Sequence, residues 1–87
     1  MSKEVYEAKK RFVENELEAV LKEAFSFGAK IKRVWYHNFA SADREEVIVE
    51  LEPYSEGEEG RNIVIDITAD SLSAILIDVV RAMQDKY

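Results

Sequence analysis

The sequence predicts an α+β fold, a two-layer sandwich in α-β-β-β-α order, with a three-stranded antiparallel meander and both helices on one face. Two changes of hydrophobic period and one property of the links lead to this expectation. Apolar residues are spaced helically up to Gly28, alternate between there and Thr68, and return to helical spacing beyond it. The links between the three alternating runs are short, which favours antiparallel neighbours over crossovers.

Residues 3–27 read as one amphipathic helix. Tyr6, Val13, Leu17, Val20, Ala24 and Phe27 recur at helical spacing and share a stripe, widened by Val5, Ala8, Phe12 and Ala19. Glu4, Glu7, Lys10, Arg11, Glu14, Glu18 and Lys22 occupy the other side, several of them in opposite-charge pairs one turn apart. Gly28 suits the left-handed residue that ends such a helix.

Residues 30–39 are rich in β-branched and aromatic side chains and read as the first strand. Ile31, Arg33, Trp35, His37 and Phe39 alternate with Lys32, Val34, Tyr36 and Asn38. Neither set is uniformly apolar, so the strand is either apolar on parts of both faces or bulged near Arg33. After a small, polar turn at 40–44, residues 45–52 form the clearest strand. Val47, Val49 and Leu51 point one way and Glu46, Ile48, Glu50 and Glu52 the other. Pro53 ends it by removing a ladder donor. Residues 53–60 read as a loop, and residues 61–67 as the third strand with Ile63, Ile65 and Ile67 inward. Thr68 or Asp70 can cap the last helix, which runs to about Asp85. Its core stripe is expected to be Leu72, Ile75, Leu76, Val79 and Met83.

The 87 residues are expected to form one domain, 1–87, because two cores cannot be built from so short a chain. No cysteine is present, which excludes disulfides, thiol chemistry and thiolate metal sites. Glycines stand scattered at 28, 57 and 60 and form no phosphate-binding loop, so no cofactor is expected; with a single histidine and no EF-hand ligand spacing in residues 55–60, no metal is expected either. Met1-Ser2-Lys3-Glu4 leads straight into the helix without an apolar leader, and the expected location is the cytoplasm. His37 is the only histidine, and a small enzyme would have to use it as acid or base. No second group is tied to it by spacing, so a non-enzymatic role is the expectation and the His37 enzyme the alternative.

The net charge of −6 is unevenly spread. Residues 1–42 carry a net +2, residues 43–59 a net −7 and residues 60–87 a net −1. The acidic hairpin contributes Asp43, Glu46, Glu50, Glu52, Glu56, Glu58 and Glu59 as candidate partner-binding residues. Carboxylates at alternate strand positions lie about 7 Å apart, a spacing comparable with phosphates along a nucleic-acid strand. Such a face suits a protein partner with a basic surface, not nucleic acid itself and not a membrane. The last helix is apolar over an arc wider than one core contact needs, and Ile77 and Val80 are the candidate contacts of a homodimer.

The element order resembles that of the double-stranded-RNA-binding domain. That family grips phosphates with lysines at the start of its last helix. Here Ala69-Asp70-Ser71-Leu72-Ser73 carries no base, which disfavours that mode of RNA binding. In size, acidity and lack of cofactor motifs the chain is similar to phage-encoded inhibitors, anti-CRISPR proteins among them, some of which mimic nucleic acid with carboxylates. The expected function is therefore a small acidic protein that blocks or modulates a partner, one that itself binds nucleic acid, through the hairpin. The alternative is a dimerisation module whose acidic face only confers solubility.

Overall fold

The computed structural model describes residues 3–25, 30–39, 42–53, 57 and 60–86. The N-terminal helix comprises α1 (Lys3–Arg11), a π-helical segment (Phe12–Leu17) and α2 (Glu18–Ala24), followed by β1 (Ile31–Phe39), β2 (Arg44–Leu51), β3 (Arg61–Asp66) and α3 (Leu72–Lys86). The strands pair in the order β1-β2-β3, both pairs antiparallel, and the helices pack against the sheet. The α+β order and meander expected from the periodicity are the observed ones. No helix among the described residues is long and apolar enough to cross a membrane.

The π segment has a cause in the sequence. Lys9, Val13, Leu17 and Leu21 are buried and recur strictly every four residues. A four-residue period drifts around a 3.6-residue helix, so a regular α-helix would carry one end of the stripe off the core. The wider i→i+5 turn absorbs the drift. This corrects the expected stripe. Val20 is 49% exposed and Ala24 is exposed, while Leu21 is fully buried. Phe27 and Gly28 lie outside the described residues.

The N-terminal helix lies along β1 and α3 lies over β3. Val47, Val49 and Leu51 of β2 face the helices and are buried with Ile63, Ile65 and Ile67. From α3 the core takes Ile75, Val79 and Met83. Leu72, expected in that stripe, is 41% exposed, because α3 begins there and its first turn projects past the sheet. Of the two alternatives for β1, the bulge is the observed one, a register shift between Ile31 and Arg33. It lets Val34 and Tyr36 face the core while Arg33 and Trp35 face away.

The two sheet edges are treated differently. Along β1, the outward N–H groups of Val34 and Tyr36 donate to the carboxylates of Glu18 (2.8 Å) and Glu14 (3.2 Å). The helix thus closes the edge with side-chain acceptors, one means of blocking strand addition. Along β3, Ile67 N–H donates to the Glu45 carbonyl (3.1 Å), so Ile63, Ile65 and Ile67 turn their backbone groups inward. By strand alternation Asn62 and Val64 turn theirs outward, and among the described residues nothing meets them.

Capping of α3 also differs from expectation. Ser71, not Thr68 or Asp70, is the cap: its Oγ accepts from Ala74 N–H (3.3 Å). Thr68 is occupied elsewhere, donating from N–H and Oγ1 to Asp66 Oδ1 (2.9 and 2.6 Å) while its Oγ1 accepts from Glu45 N–H (3.1 Å).

Candidate functional site

Both helices cover one face of the sheet, so the other face is open. Cross-strand register sets what that face presents. Trp35, Ile48 and Val64 stand in one row across the three strands. Arg33, Glu50 and Asn62 form the row on one side, and His37, Glu46 and Asp66 the row on the other. The middle row is apolar and partly accessible, Val64 being 48% exposed.

The flanking rows are knit by charge. Arg33 Nε donates to Glu50 Oε2 (2.6 Å), and its guanidinium lies 4.2 Å from the Trp35 ring centre, a cation–π contact. Lys32 Nζ approaches Glu50 from the other side (3.9 Å). Arg44 pairs with Glu46 and lies over the Phe39 ring, and Phe39 in turn stacks on His37 at 4.0 Å. The indole Nε1 of Trp35 is buried and has no hydrogen-bond acceptor among the described residues.

The carboxylates expected to form one bare acidic array therefore separate into three groups. Glu46 is buried and ion-paired, contrary to the expected exposure, because Arg44 two residues before it on the strand folds over it. Glu50 is partly covered and neutralised by Arg33 and Lys32. Asp43 and Glu52 are exposed. Glu56, Glu58 and Glu59 lie outside the described residues. His37 is exposed on the same face. Ile77 is 50% exposed on α3, whereas Val80 is half-buried against the core.

A second cluster sits at the end of the sheet between α1 and the start of α3. Lys9 Nζ donates to Glu45 Oε1 (2.9 Å), and the Tyr36 hydroxyl donates to the same oxygen (2.6 Å). Asn38 Nδ2 donates to the Tyr36 hydroxyl (3.1 Å), and Ala69 N–H donates to Glu45 Oε2 (2.8 Å). Lys9, Tyr36 and Glu45 are all buried. Burial opposes ionisation of Glu45, but the hydrogen bonds from Lys9, Tyr36 and Ala69 outweigh it and hold the carboxyl below its ordinary range. The Tyr36 hydroxyl is pushed up by burial and by its bond to Glu45. Ala69 has φ 63°, a left-handed conformation that costs an alanine about 1 kcal/mol. The bond to Glu45 holds it there.

Sequence reasoning had not singled out this cluster, though it left a trace. Alternation puts Glu45 on the same side of β2 as Val47, and the four-residue stripe includes Lys9.

Beside the cluster, Asp70 faces Asp78. Their proximity, followed by burial, raises the Asp70 carboxyl from 3.8 to about 6, with Lys9 in partial opposition. The folded state thus binds more protons than the unfolded chain between about pH 4 and 6. Stability from this pair is greatest below the ordinary carboxyl pKa and declines as pH rises through 6. Asp78→Asn should remove the repulsion and raise stability at pH 7 by about 1 kcal/mol, discounted for the part-exposed site. The gain should vanish below about pH 4, as read from urea midpoints across pH.

Among the described residues no cluster of His, Asp and Glu is arranged to hold a metal ion. Comparison of the chain with protein-family models, curated proteins and solved structures finds no match.

Proposed function

We propose that this chain is a non-enzymatic, cytoplasmic interaction module that blocks or modulates a protein partner through the open face of its sheet. The observation that carries this reading is the Trp35–Ile48–Val64 row, an accessible apolar strip bordered by charged side chains on an uncovered face. An apolar centre within a polar rim is the usual anatomy of a protein interface, and tryptophan is prominent among the residues that dominate binding.

The partner's surface is basic. The exposed Asp43 and Glu52 stand at opposite ends of β2, and with the surplus of acid over residues 43–59 they give the surroundings of the strip a negative field that steers a cationic surface toward it. A basic surface of that kind is what a nucleic-acid-binding protein offers, so occupation by this chain would exclude its nucleic acid. In this reading the apolar strip supplies affinity, and the carboxylates supply approach and selectivity.

Immobilised protein exposed to lysate of its own cell, washed at low and high salt, tests the proposal. Wild type should retain a basic protein that salt releases, and Trp35→Ala should lose about 30-fold or more in affinity for it, the scale of a central aromatic contact. Changing Asp43 and Glu52 together to Asn and Gln should mainly slow association and flatten the salt dependence. Equal retention by Trp35→Ala, with its fold intact, would overturn the open-face reading. Trp35 is the sole tryptophan, so its emission reports directly on whether this face is covered.

A second reading, self-assembly, is favoured by a separate observation. Ile77 is half exposed in the middle of an apolar helix, and Val80 lies one turn on. A second copy is the simplest cover for such a surface.

A further inference from the structure

We infer that two copies of this chain join through β3, edge to edge and antiparallel, to make one six-stranded sheet. The inference rests on the self-assembly reading but moves its contact from the Ile77 surface to the edge of β3, and gives it a register.

The first observation is the asymmetry of the edges. The β1 edge is closed by Glu14 and Glu18, whereas the outward backbone groups of Asn62 and Val64 on β3 meet nothing among the described residues. Bare edges are ordinarily blunted by charge, proline or a covering element. The centre of this one instead carries a valine that is 48% exposed.

The second observation is that β3 complements itself. In a two-fold pairing that keeps the open face continuous, residues directly opposite each other must share a face. Placing Val64 opposite Val64 of the second copy sets Asn62 opposite Asp66, and Asp66 opposite Asn62. Each of these pairs can join an amide donor to a carboxylate acceptor. Asn62, Val64 and Asp66 are the residues whose backbone groups point outward, so all three positions become hydrogen-bonded pairs, roughly six backbone bonds in total. A register centred on Asp66 would set two carboxylates face to face, and one centred on Asn62 would leave Asp66 beyond the contact.

The third observation is the flank of α3. Asp78 lies on the side of α3 that faces Asp70, just before the helix, and Asp70 in turn is near Lys9 of the N-terminal helix. Helical spacing puts Leu76 and Val80 on the opposite side, over β3 and its free edge. Pairing of the strands brings this flank toward the same flank of the second copy, so a strip of apolar side chains runs above the new ladder. Ile77, by contrast, points away from the sheet.

Sedimentation of the full chain at micromolar to hundred-micromolar concentration tests the inference. Wild type should be a dimer. Val64→Pro removes only an outward N–H, as tolerated in edge strands, and should give a folded monomer by circular dichroism. Asn62→Asp sets carboxylates opposite each other twice per dimer and should weaken association about tenfold. Adding Asp66→Asn to it exchanges donor and acceptor and should restore association, a rescue specific to this register. If Val64→Pro does not fold, the rescue pair decides alone. A wild-type dimer indifferent to Asn62→Asp but broken by Ile77→Glu would overturn the β3 edge while sparing the self-assembly reading. A wild-type monomer at hundred-micromolar concentration would overturn both.

Discussion

Glu45→Ala should destabilise the protein by roughly 3–5 kcal/mol, the largest loss expected from any single polar change. The Glu45 carboxylate is the common acceptor for Lys9, the Tyr36 hydroxyl and the Ala69 N–H. Its removal strands the ammonium group of a lysine that is only 7% exposed and takes the acceptor from the Tyr36 hydroxyl and the Ala69 N–H. It also releases Ala69, whose left-handed backbone has no other side-chain restraint among the bonds described. Lys9→Met should cost less, because Glu45 would keep two donors and the thioether chain would fill the lysine's space. Because the folded Glu45 carboxyl lies below its ordinary pKa, its contribution is present above about pH 4 and lost as the pH falls further. Urea denaturation between pH 3 and 7 should show that acid limb flattened in Glu45→Ala. An unchanged midpoint at pH 7 would mean that the cluster carries no stability.

A loss of about 3 kcal/mol is expected for Leu21→Ala, against less than about 0.5 kcal/mol for the neighbouring Val20→Ala. Leu21 is fully buried in the core, whereas Val20 is 49% exposed. The pair is a direct test of the π segment. A regular α-helix from Lys3 to Ala24 would rotate residues after Leu17 and bring Val20 toward the sheet. Comparable losses for the two variants would place the helix in that regular form.

How far the fold could be read from the chain varies from element to element. In β2 the alternation of Val47, Val49 and Leu51 with Glu46, Ile48 and Glu50 is clean, and the core face follows from it directly. In β1 neither face is clean, because the bulge at Ile31–Arg33 changes the parity of everything after it. The mixed pattern was itself the signal. The N-terminal helix departs from the 3.6-residue period that its apolar residues suggest. Val20 and Ala24 lie at the centre of a 3.6-residue stripe through Val13 and Leu17 and Leu21 only at its edge, yet Lys9, Val13, Leu17 and Leu21 recur every four, a pattern equally visible in the sequence once a wider turn is admitted.

The candidate site was harder to read for a different reason. Glu46 and Glu50 do lie on the face opposite Val47 and Val49, as alternation requires. Whether that face is acidic depends on which bases stand near it, and that is a property of pairing between strands. Arg33 reaches Glu50 only because the β1–β2 register sets them opposite each other. Neither strand alone contains that information. The same pairing aligns Trp35 with Ile48 and Val64, so the apolar row is equally invisible from any one segment.

The closure of the β1 edge sets a limit on growth. A sheet that polymerises needs two open edges on every copy, one to receive a neighbour and one to offer to the next. Here the outward N–H groups of Val34 and Tyr36 on β1 are bonded to Glu18 and Glu14, so among the described strands the open edge is β3. Joining two chains at β3 leaves a sheet whose outer margins are both β1, each already stopped by two glutamates. Addition halts at two copies, and fibril elongation lacks a second template. On the proposed pairing, the two carboxylates would act as chain terminators and hold the assembly to two copies.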